Sequence, residues 1–194
     1  MIDIQTKTTI SEDDLLLLGS QDIQFEVVNG EIVDMAPTGF IHNVYAKNVL
    51  SLLDRFVREH NLGYVATDGL IYVLHVDENG VQETRVPDAS FFRRGKFPKF
   101  DLSKPIPGAP DLAVEVISPS ESVTTIQDKL QSYLTHGTEQ IWVIYPAQKQ
   151  LSQYLHNDPK NIRVYSGDDV LEAETLFPGL KINISEFFVL PDID

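Results

Sequence analysis

The sequence predicts an α/β fold in which helices flank a central mixed β-sheet. Residues 112–117 form an apolar run, residues 122–136 have the three- and four-residue spacing of an amphipathic helix, and residues 141–145 form a second apolar run. This order is typical of a parallel βαβ unit, because parallel strands need a long crossover connection that is usually a helix and usually right-handed. We expect this unit to form the centre of the sheet.

Three patterns predict the elements that precede this unit. Residues 11–19 indicate a short helix, with Ser11 as its N-cap, acidic residues in its first turn and a terminal glycine. Asn29-Gly30 separates residues 25–28 from residues 31–35, and this dipeptide favours the two-residue turn of a β-hairpin. Apolar residues recur at helical spacing across 43–60, which predicts a long helix with one face toward the core.

The middle and the end of the chain predict further strands. Residues 64–76 resemble one strand, residues 78–80 a turn, and residues 81–92 a return strand that Pro87 breaks or bends, since proline has no N–H to donate. The remaining predicted elements are peripheral: strands at 151–156 and 162–165, and a short helix within 180–188.

Length and composition indicate one domain that spans residues 1–194. A chain of 194 residues is long enough to bury one hydrophobic core. The absence of cysteine excludes disulfides, thiolate nucleophiles and cysteine-ligated zinc. No targeting segment and no apolar run long enough to cross a bilayer is apparent, so we expect a cytoplasmic location.

The charge of the chain is distributed unevenly. A net charge of −14 argues against a protein that coats nucleic acid nonspecifically, because Lys and Arg contacts to phosphate provide most of that affinity. Residues 85–104 nevertheless contain six basic and two acidic residues, a local charge of +4. We expect phosphate contacts in this segment, from Arg93, Arg94 and Lys96.

Two carboxylates are candidates for a metal site. Asp88 follows Pro87 at the start of a strand-like run, and Glu115 interrupts the apolar run 112–117. A buried ionised carboxylate is very costly without a partner, so Glu115 must be protonated, paired or bound to a cation. A salt bridge at the end of the strand is the alternative, because structural ion pairs also occupy such positions.

Lys129 is the candidate cation beside these acids. In the predicted helix it lies at the margin of an apolar arc, next to Tyr133. In a βαβ unit this helix packs over the sheet, so the ammonium can reach along its apolar neighbours toward Glu115. The alternative is a solvated lysine that points away from the sheet.

The order of motifs resembles one known family. The motifs are FEVVNGE at 25–31, His42, VPDASFF at 86–92, APDLAVEVISPS at 109–120, DKL at 128–130 with Tyr133, and QIWVIYP at 140–146. In this order they resemble the Uma family, whose members are classed as restriction endonucleases within the PD-(D/E)XK nuclease superfamily. The resemblance covers roughly residues 10–190 and implies a restriction-endonuclease-like fold.

The resemblance also implies a metal-dependent endonuclease that cuts the phosphodiester bonds of nucleic acid, DNA above all. Asp88 and Glu115 match the two acids of the superfamily pattern and are the implied ligands of Mg²⁺, which Mn²⁺ can replace. The lysine of the pattern is expected two residues after the second acid, where this chain has Ile117. The resemblance implies that Lys129 has taken over this role from the following helix.

Three other residues are additional candidates for the site. Glu26 matches an early acid of the family, and an exposed hairpin carboxylate is its alternative. His42 matches the family's histidine, and capping or packing is its alternative. Asp111 follows Pro110 at a strand entrance and is either functional or part of a turn.

Two other functions remain open at this stage. One is a catalytically inactive binding protein on a nuclease fold, because a fold does not by itself imply activity. The other is a metal-dependent hydrolase of small phosphoesters, which suits an acidic surface better than a long duplex. If the chain cuts both strands of a duplex, we expect a homodimer with two sites.

Overall fold

The computed structural model describes residues 9–20, 24–119 and 121–192. It divides into two compact units. The first unit consists of Met1–Pro37, Gly69–Val86 and Phe97–Ala109, and the second of Thr38–Asp68, Pro87–Lys96 and Pro110–Asp194. Within the described ranges, none of the helices combines the length and the apolar character that crossing a membrane requires.

The described chain contains α-helices, β-strands and a short 3₁₀ helix. In chain order these are α1 (Glu12–Gly19), β1 (Phe25–Val28), β2 (Glu31–Asp34), α2 (Phe40–His60), β3 (Gly63–Thr67), β4 (Tyr72–Asp77), β5 (Gly80–Arg85), β6 (Ala89–Arg93), β7 (Ile106–Pro107), β8 (Leu112–Val116), α3 (Val123–Thr135), β9 (Gln140–Tyr145), β10 (Gln150–Leu155), β11 (Arg163–Ser166) and the 3₁₀ helix Ile184–Phe188.

The first unit contains a five-stranded sheet with the order β2-β1-β5-β4-β7. Strands β1 and β2 form the predicted hairpin, and Asn29 and Gly30 have φ angles of 53° and 78°, which suit the two-residue turn. Helix α1 begins as predicted, because Ser11 and Asp14 form a reciprocal capping box. Leu15 and Leu18 of this helix pack with strand residues of the unit in one apolar cluster.

The second unit contains a six-stranded sheet with the order β11-β10-β9-β8-β6-β3. Strands β8 and β9 are parallel and are joined by α3, as predicted, while the other neighbouring strands are antiparallel. The α/β fold with a mixed sheet is therefore confirmed. Gly63 fits β3 because a side-chain carbon at this position would lie 2.1 Å from the carbonyl oxygen of Phe92 on β6.

The two faces of this sheet pack against different helices. Residues of α2 share one buried cluster with Leu112, Val114 and Val116 of β8. Residues of α3 share another buried cluster with Ala113 of β8 and with Ile141 and Val143 of β9. Since successive side chains of a strand point to opposite faces, Glu115 lies on the α3 face of β8.

Two details differ from the sequence prediction. The single strand predicted at 64–76 is wrong: β3 belongs to the sheet of the second unit and β4 to that of the first, with the turn at Gly69 between them. The break predicted at Pro87 is confirmed, because β5 and β6 lie in different sheets on either side of it. Helix α2 begins at Phe40, three residues earlier than its apolar spacing indicated.

Candidate metal-dependent nuclease site

Glu115 is the fourth of the five residues of β8, and only 5 % of its surface is exposed. The ammonium Nζ of Lys129 donates to Oε2 of Glu115 at 2.8 Å, and the Tyr133 hydroxyl donates to Oε1 at 2.8 Å. Lys129 and Tyr133 are four residues apart on α3, so both lie on the helix face that covers β8. The helix therefore holds both oxygens of this carboxylate.

Lys129 contacts a second carboxylate as well. Its Nζ lies 3.4 Å from Oε1 of Glu121, which precedes the N-cap residue Ser122 of α3. The side chain of Lys129 is 15 % exposed, so the ammonium is largely withdrawn from solvent. Lys129 is therefore not a solvated lysine that points away from the sheet, which was the alternative.

Asp88 lies one residue before β6, next to the residue pair Ala89 and Val114 of the β6–β8 ladder. Strand β6 begins at Ala89, and the carboxylate of Asp88 extends the pairing, because its Oδ2 accepts the N–H of Val116 at 2.7 Å. This N–H belongs to the peptide that joins Glu115 to Val116. The two candidate ligands are thus linked through one peptide unit.

His42 is the other partner of Asp88. Its Nε2 lies 3.2 Å from the same Oδ2 atom. Burial of the imidazole lowers the pKa of His42, but the hydrogen bond and negative charge of Asp88 outweigh it and raise the pKa above its ordinary value of 6.5. Nδ1 of His42 is buried without a hydrogen-bond partner within the described part of the chain. Capping or packing alone does not account for this histidine, because it pairs with a candidate metal ligand.

The two carboxylates are held from different elements. The Glu115 carboxylate is bound by α3, whereas the Asp88 carboxylate is bound by the backbone of β8 and by His42 of α2. The expectation that the two carboxylates lie within about 6 Å, as shared ligation of one cation requires, stays a prediction.

The residues fit a Mg²⁺ ion that keeps part of its water shell. Hard carboxylate oxygens are the ligands that Mg²⁺ prefers, and one or two of them are usual when substrate phosphates complete the shell. The contacts of Asp88 with Val116 and His42 both use Oδ2, so they leave Oδ1 available to a cation. Among residues 9–20, 24–119 and 121–192 no group of three or more His, Cys, Asp or Glu side chains is arranged around a metal position. Cation binding by Asp88 and Glu115 stays a prediction.

Asp111 is buried in an ion-pair network of its own. It accepts the backbone N–H of Arg93 at 2.7 Å, Nη1 of Arg93 at 3.0 Å and Nζ of Lys96 at 2.9 Å. Arg93 also binds Glu139 through both terminal guanidinium nitrogens, and the hydrogen bond to Glu139 raises the pKa of Arg93 above its ordinary value despite the opposing effect of burial. Asp111 thus has a structural role that accounts for its burial.

The expected phosphate contacts come from residues that are already engaged with other side chains. Arg93 and Lys96 are ion-paired as described, and Arg94 donates to the side-chain oxygen of Asn61. Phosphate would have to compete with these partners. Asp111 and Glu139, which lie outside residues 85–104, offset part of the positive charge counted in that segment. The assignment of Arg93, Arg94 and Lys96 to nucleic-acid binding stays a prediction.

Glu26 lies in the first unit and has partners there. Its Oε2 accepts Nη1 of Arg85 at 3.1 Å, and its Oε1 accepts the backbone N–H of Val86 at 3.0 Å. Only 5 % of Glu26 is exposed, so the alternative of an exposed hairpin carboxylate is wrong. The ion pair with Arg85 explains why an acid is tolerated at this buried position of β1.

Tyr133 and Glu121 contact the site, but the sequence did not identify either of them as a functional side chain. The spacing of Lys129 and Tyr133 was a usable signal, because residues four apart on a helix lie side by side. Glu121 gave no such signal, since it lies outside the helix and its distance from Lys129 depends on how the chain enters α3.

The fold is that of an α/β protein of the restriction-endonuclease-like class. A solved structure described as a putative nuclease belonging to DUF820, from Anabaena variabilis ATCC 29413, has a similar fold, with a TM-score of 0.73 and 22 % identity. The similarity covers 92 % of this chain and 97 % of that one. The chain belongs to the family Uma2, described as "Putative restriction endonuclease", whose sequence model matches residues 12–185. A comparison with curated proteins gives no match.

Proposed function

We propose that the protein is a Mg²⁺-dependent endonuclease that hydrolyses phosphodiester bonds, with DNA as its substrate. Asp88 and Glu115 hold the ion, and Lys129 acts beside it. The observation that carries the proposal is the 2.8 Å contact between Lys129 Nζ and Glu115 Oε2, one peptide away from the contact of Asp88 with Val116. This contact supports the proposal that a lysine from the helix takes over the role of the pattern's lysine, since Ile117 stands at the usual position of that lysine.

Each side chain has a distinct task in this proposal. When bound, the cation polarises a phosphoryl oxygen and acidifies a water molecule. Tyr133 and Lys129 orient the Glu115 carboxylate, and His42 with the Val116 N–H orients Asp88. The Lys129 ammonium stabilises negative charge that develops on the phosphate.

The substrate, the oligomeric state and the location of the protein extend the proposal. DNA as substrate is supported by the family's description as restriction endonucleases. A homodimer would supply the two sites that cut both strands of a duplex, and light scattering after size exclusion measures it. A cytoplasmic location agrees with a protein that acts on cellular DNA, and fractionation of cells that express the chain tests it.

The decisive experiment is incubation of the purified protein with supercoiled and with single-stranded DNA in Mg²⁺, Mn²⁺ or EDTA. We expect cleavage that needs a divalent cation and that is lost in Asp88→Asn and Glu115→Gln. Asp128→Asn is the matched control, because it removes the same charge from an exposed position of α3. Cleavage that persists in EDTA, or in both site variants, would refute the proposal.

One observation favours a second candidate, a metal-dependent hydrolase of small phosphoesters. The basic residues Arg93 and Lys96 are paired with acids, and the chain as a whole carries a charge of −14, which disfavours a long polyanion more than a small one. Hydrolysis of a chromogenic phosphodiester with no cleavage of DNA would identify this activity. Cation binding without hydrolysis of either substrate would instead indicate an inactive protein on a nuclease fold.

A further inference from the structure

Glu121 is an acid at the candidate site that no motif of the chain pointed to. Its Oε1 atom lies 3.4 Å from Lys129 Nζ, while Glu115 Oε2 lies 2.8 Å from the same nitrogen. The Glu121 side chain is 17 % exposed, so this contact is partly shielded from solvent. The Lys129 ammonium therefore contacts both carboxylates, and Glu115 is the nearer of the two.

The position of Glu121 is set by the connection between β8 and α3. Its N–H donates to the carbonyl of Ser118 at 3.0 Å, and the next residue, Ser122, caps α3 through a hydrogen bond to the N–H of Thr125. These contacts anchor the backbone N–H of Glu121 and the following N-cap residue. Glu121 can therefore keep its place while the surroundings of Lys129 change.

The ammonium of Lys129 contacts the carboxylates of both Glu115 and Glu121. These three side chains together carry one net negative charge. Binding of a cation to Glu115 would withdraw charge from that carboxylate and would repel the nearby ammonium.

We propose that Glu121 is a positioning residue that holds Lys129 at the site when Glu115 binds the cation. The inference rests on the proposed function, since it assumes that Glu115 is a cation ligand. Without the cation, Lys129 is held mainly by Glu115, the nearer partner. With the cation bound, the Glu121 carboxylate keeps the ammonium beside the scissile phosphate.

The test compares Glu121→Gln with wild type and with Asp128→Asn. The amide keeps the size of Glu121 and removes its charge, and the control removes a charge from the same helix at an exposed position. Calorimetric titration with Mg²⁺ first establishes that each protein binds the cation. The acylation rate of Lys129 by an amine-reactive reagent is then measured by peptide mass spectrometry, with and without saturating Mg²⁺.

We expect Lys129 of Glu121→Gln to be labelled severalfold faster than wild type in Mg²⁺ and at the wild-type rate without it. Asp128→Asn should behave as wild type in both conditions. A purely structural salt bridge would change labelling equally with and without the cation. Equal labelling of Lys129 in Glu121→Gln and wild type, both loaded with Mg²⁺, would overturn this inference alone.

Turnover supplies a second readout. We expect kcat of Glu121→Gln to fall about tenfold with little change in KM, the size of effect that one charged hydrogen-bond partner commonly has. In a Lys129→Met background Glu121→Gln should lower kcat no further, because the ammonium that Glu121 positions is absent. An additive loss in the double variant would contradict the inference. Absence of cation binding by wild type would overturn the proposed function, and this inference with it.

Discussion

Replacement of Lys129 by Met tests the migrated lysine directly. Methionine keeps most of the apolar stem that packs along α3 and removes the ammonium that lies 2.8 Å from Glu115. We expect turnover to fall while the protein stays folded and still binds the cation. The reason is that Asp88 and Glu115 remain as ligands, and only the stabilisation of transition-state charge is lost.

The size of the effect follows from the charge and its surroundings. A full charge about 4 Å from another contributes about 4 kcal/mol at an effective dielectric constant of about 20, the value suited to partly buried pairs. Lys129 is 15 % exposed, so residual solvent reduces this figure. Removal of one preorganised stabiliser of transition-state charge commonly costs about 10² to 10³ in kcat. We therefore expect a loss of about 10²-fold or more in Lys129→Met.

The substitution also removes the charge partner of a buried carboxylate. Loss of one partner from a fully buried pair costs about 3–5 kcal/mol, and partial exposure of Lys129 places the expected loss at or below the lower end. Tyr133 still donates to Glu115, which limits the penalty further. A native domain is typically stable by about 5–15 kcal/mol, so the variant should fold.

The assay is cleavage of supercoiled DNA under single-turnover conditions, together with calorimetric titration with Mn²⁺ and thermal unfolding by circular dichroism. Cation affinity should not fall, since the ammonium no longer competes for Glu115 Oε2. Wild-type turnover in a folded Lys129→Met protein would refute the role of Lys129. Loss of cation binding would show that the lysine supports the ligands and not the chemistry.

Three further predictions concern the neighbouring side chains. Tyr133→Phe removes one donor to the Glu115 carboxylate, and Mn²⁺ affinity measured by calorimetry should fall about tenfold; unchanged affinity would show that Lys129 alone orients Glu115. The pKa of His42 is raised in the folded protein, so its pairing with Asp88 should stabilise the fold fully below pH 6.5 and progressively less as pH rises through the folded pKa. Urea unfolding of wild type and His42→Gln from pH 5.5 to 8.5 measures this. A difference in the free energy of unfolding that did not shrink with rising pH would contradict it. Asp111→Asn should lower the free energy of unfolding by about 1–3 kcal/mol, as expected when a buried ionic acceptor is lost, and leave kcat of the folded fraction unchanged; a selective loss of kcat would return this residue to the site.

The elements that depend on local pattern were predictable. Helix α3 and strands β8 and β9 lie where apolar spacing indicated, and the hairpin turn at Asn29-Gly30 has the positive φ angles that these two residues tolerate. The division of 64–76 between two sheets was not predictable. A period of two residues identifies a strand but not its partner, and the partners of β3 and β4 come from distant parts of the chain.

The candidate site divides in the same way. The order of motifs singled out Asp88 and Glu115, and helical spacing placed Lys129 and Tyr133 on neighbouring positions of one helix face. The partner of His42 could not be read from the sequence, because Asp88 lies 46 positions later and the pair exists only where α2 crosses the end of β6.

The basic segment shows what a count of charges leaves out. The sequence by itself determined how many Lys and Arg residues lie near Asp88, but the tertiary structure decided that Arg93 and Lys96 meet Asp111 and Glu139. Local order along the chain determines helices, turns and the residues that each face presents, since these depend on neighbours a few positions apart. Ion pairing joins residues such as Arg93 and Glu139, 46 positions apart, and is settled only when the sheet brings the ends of β6 and β9 together.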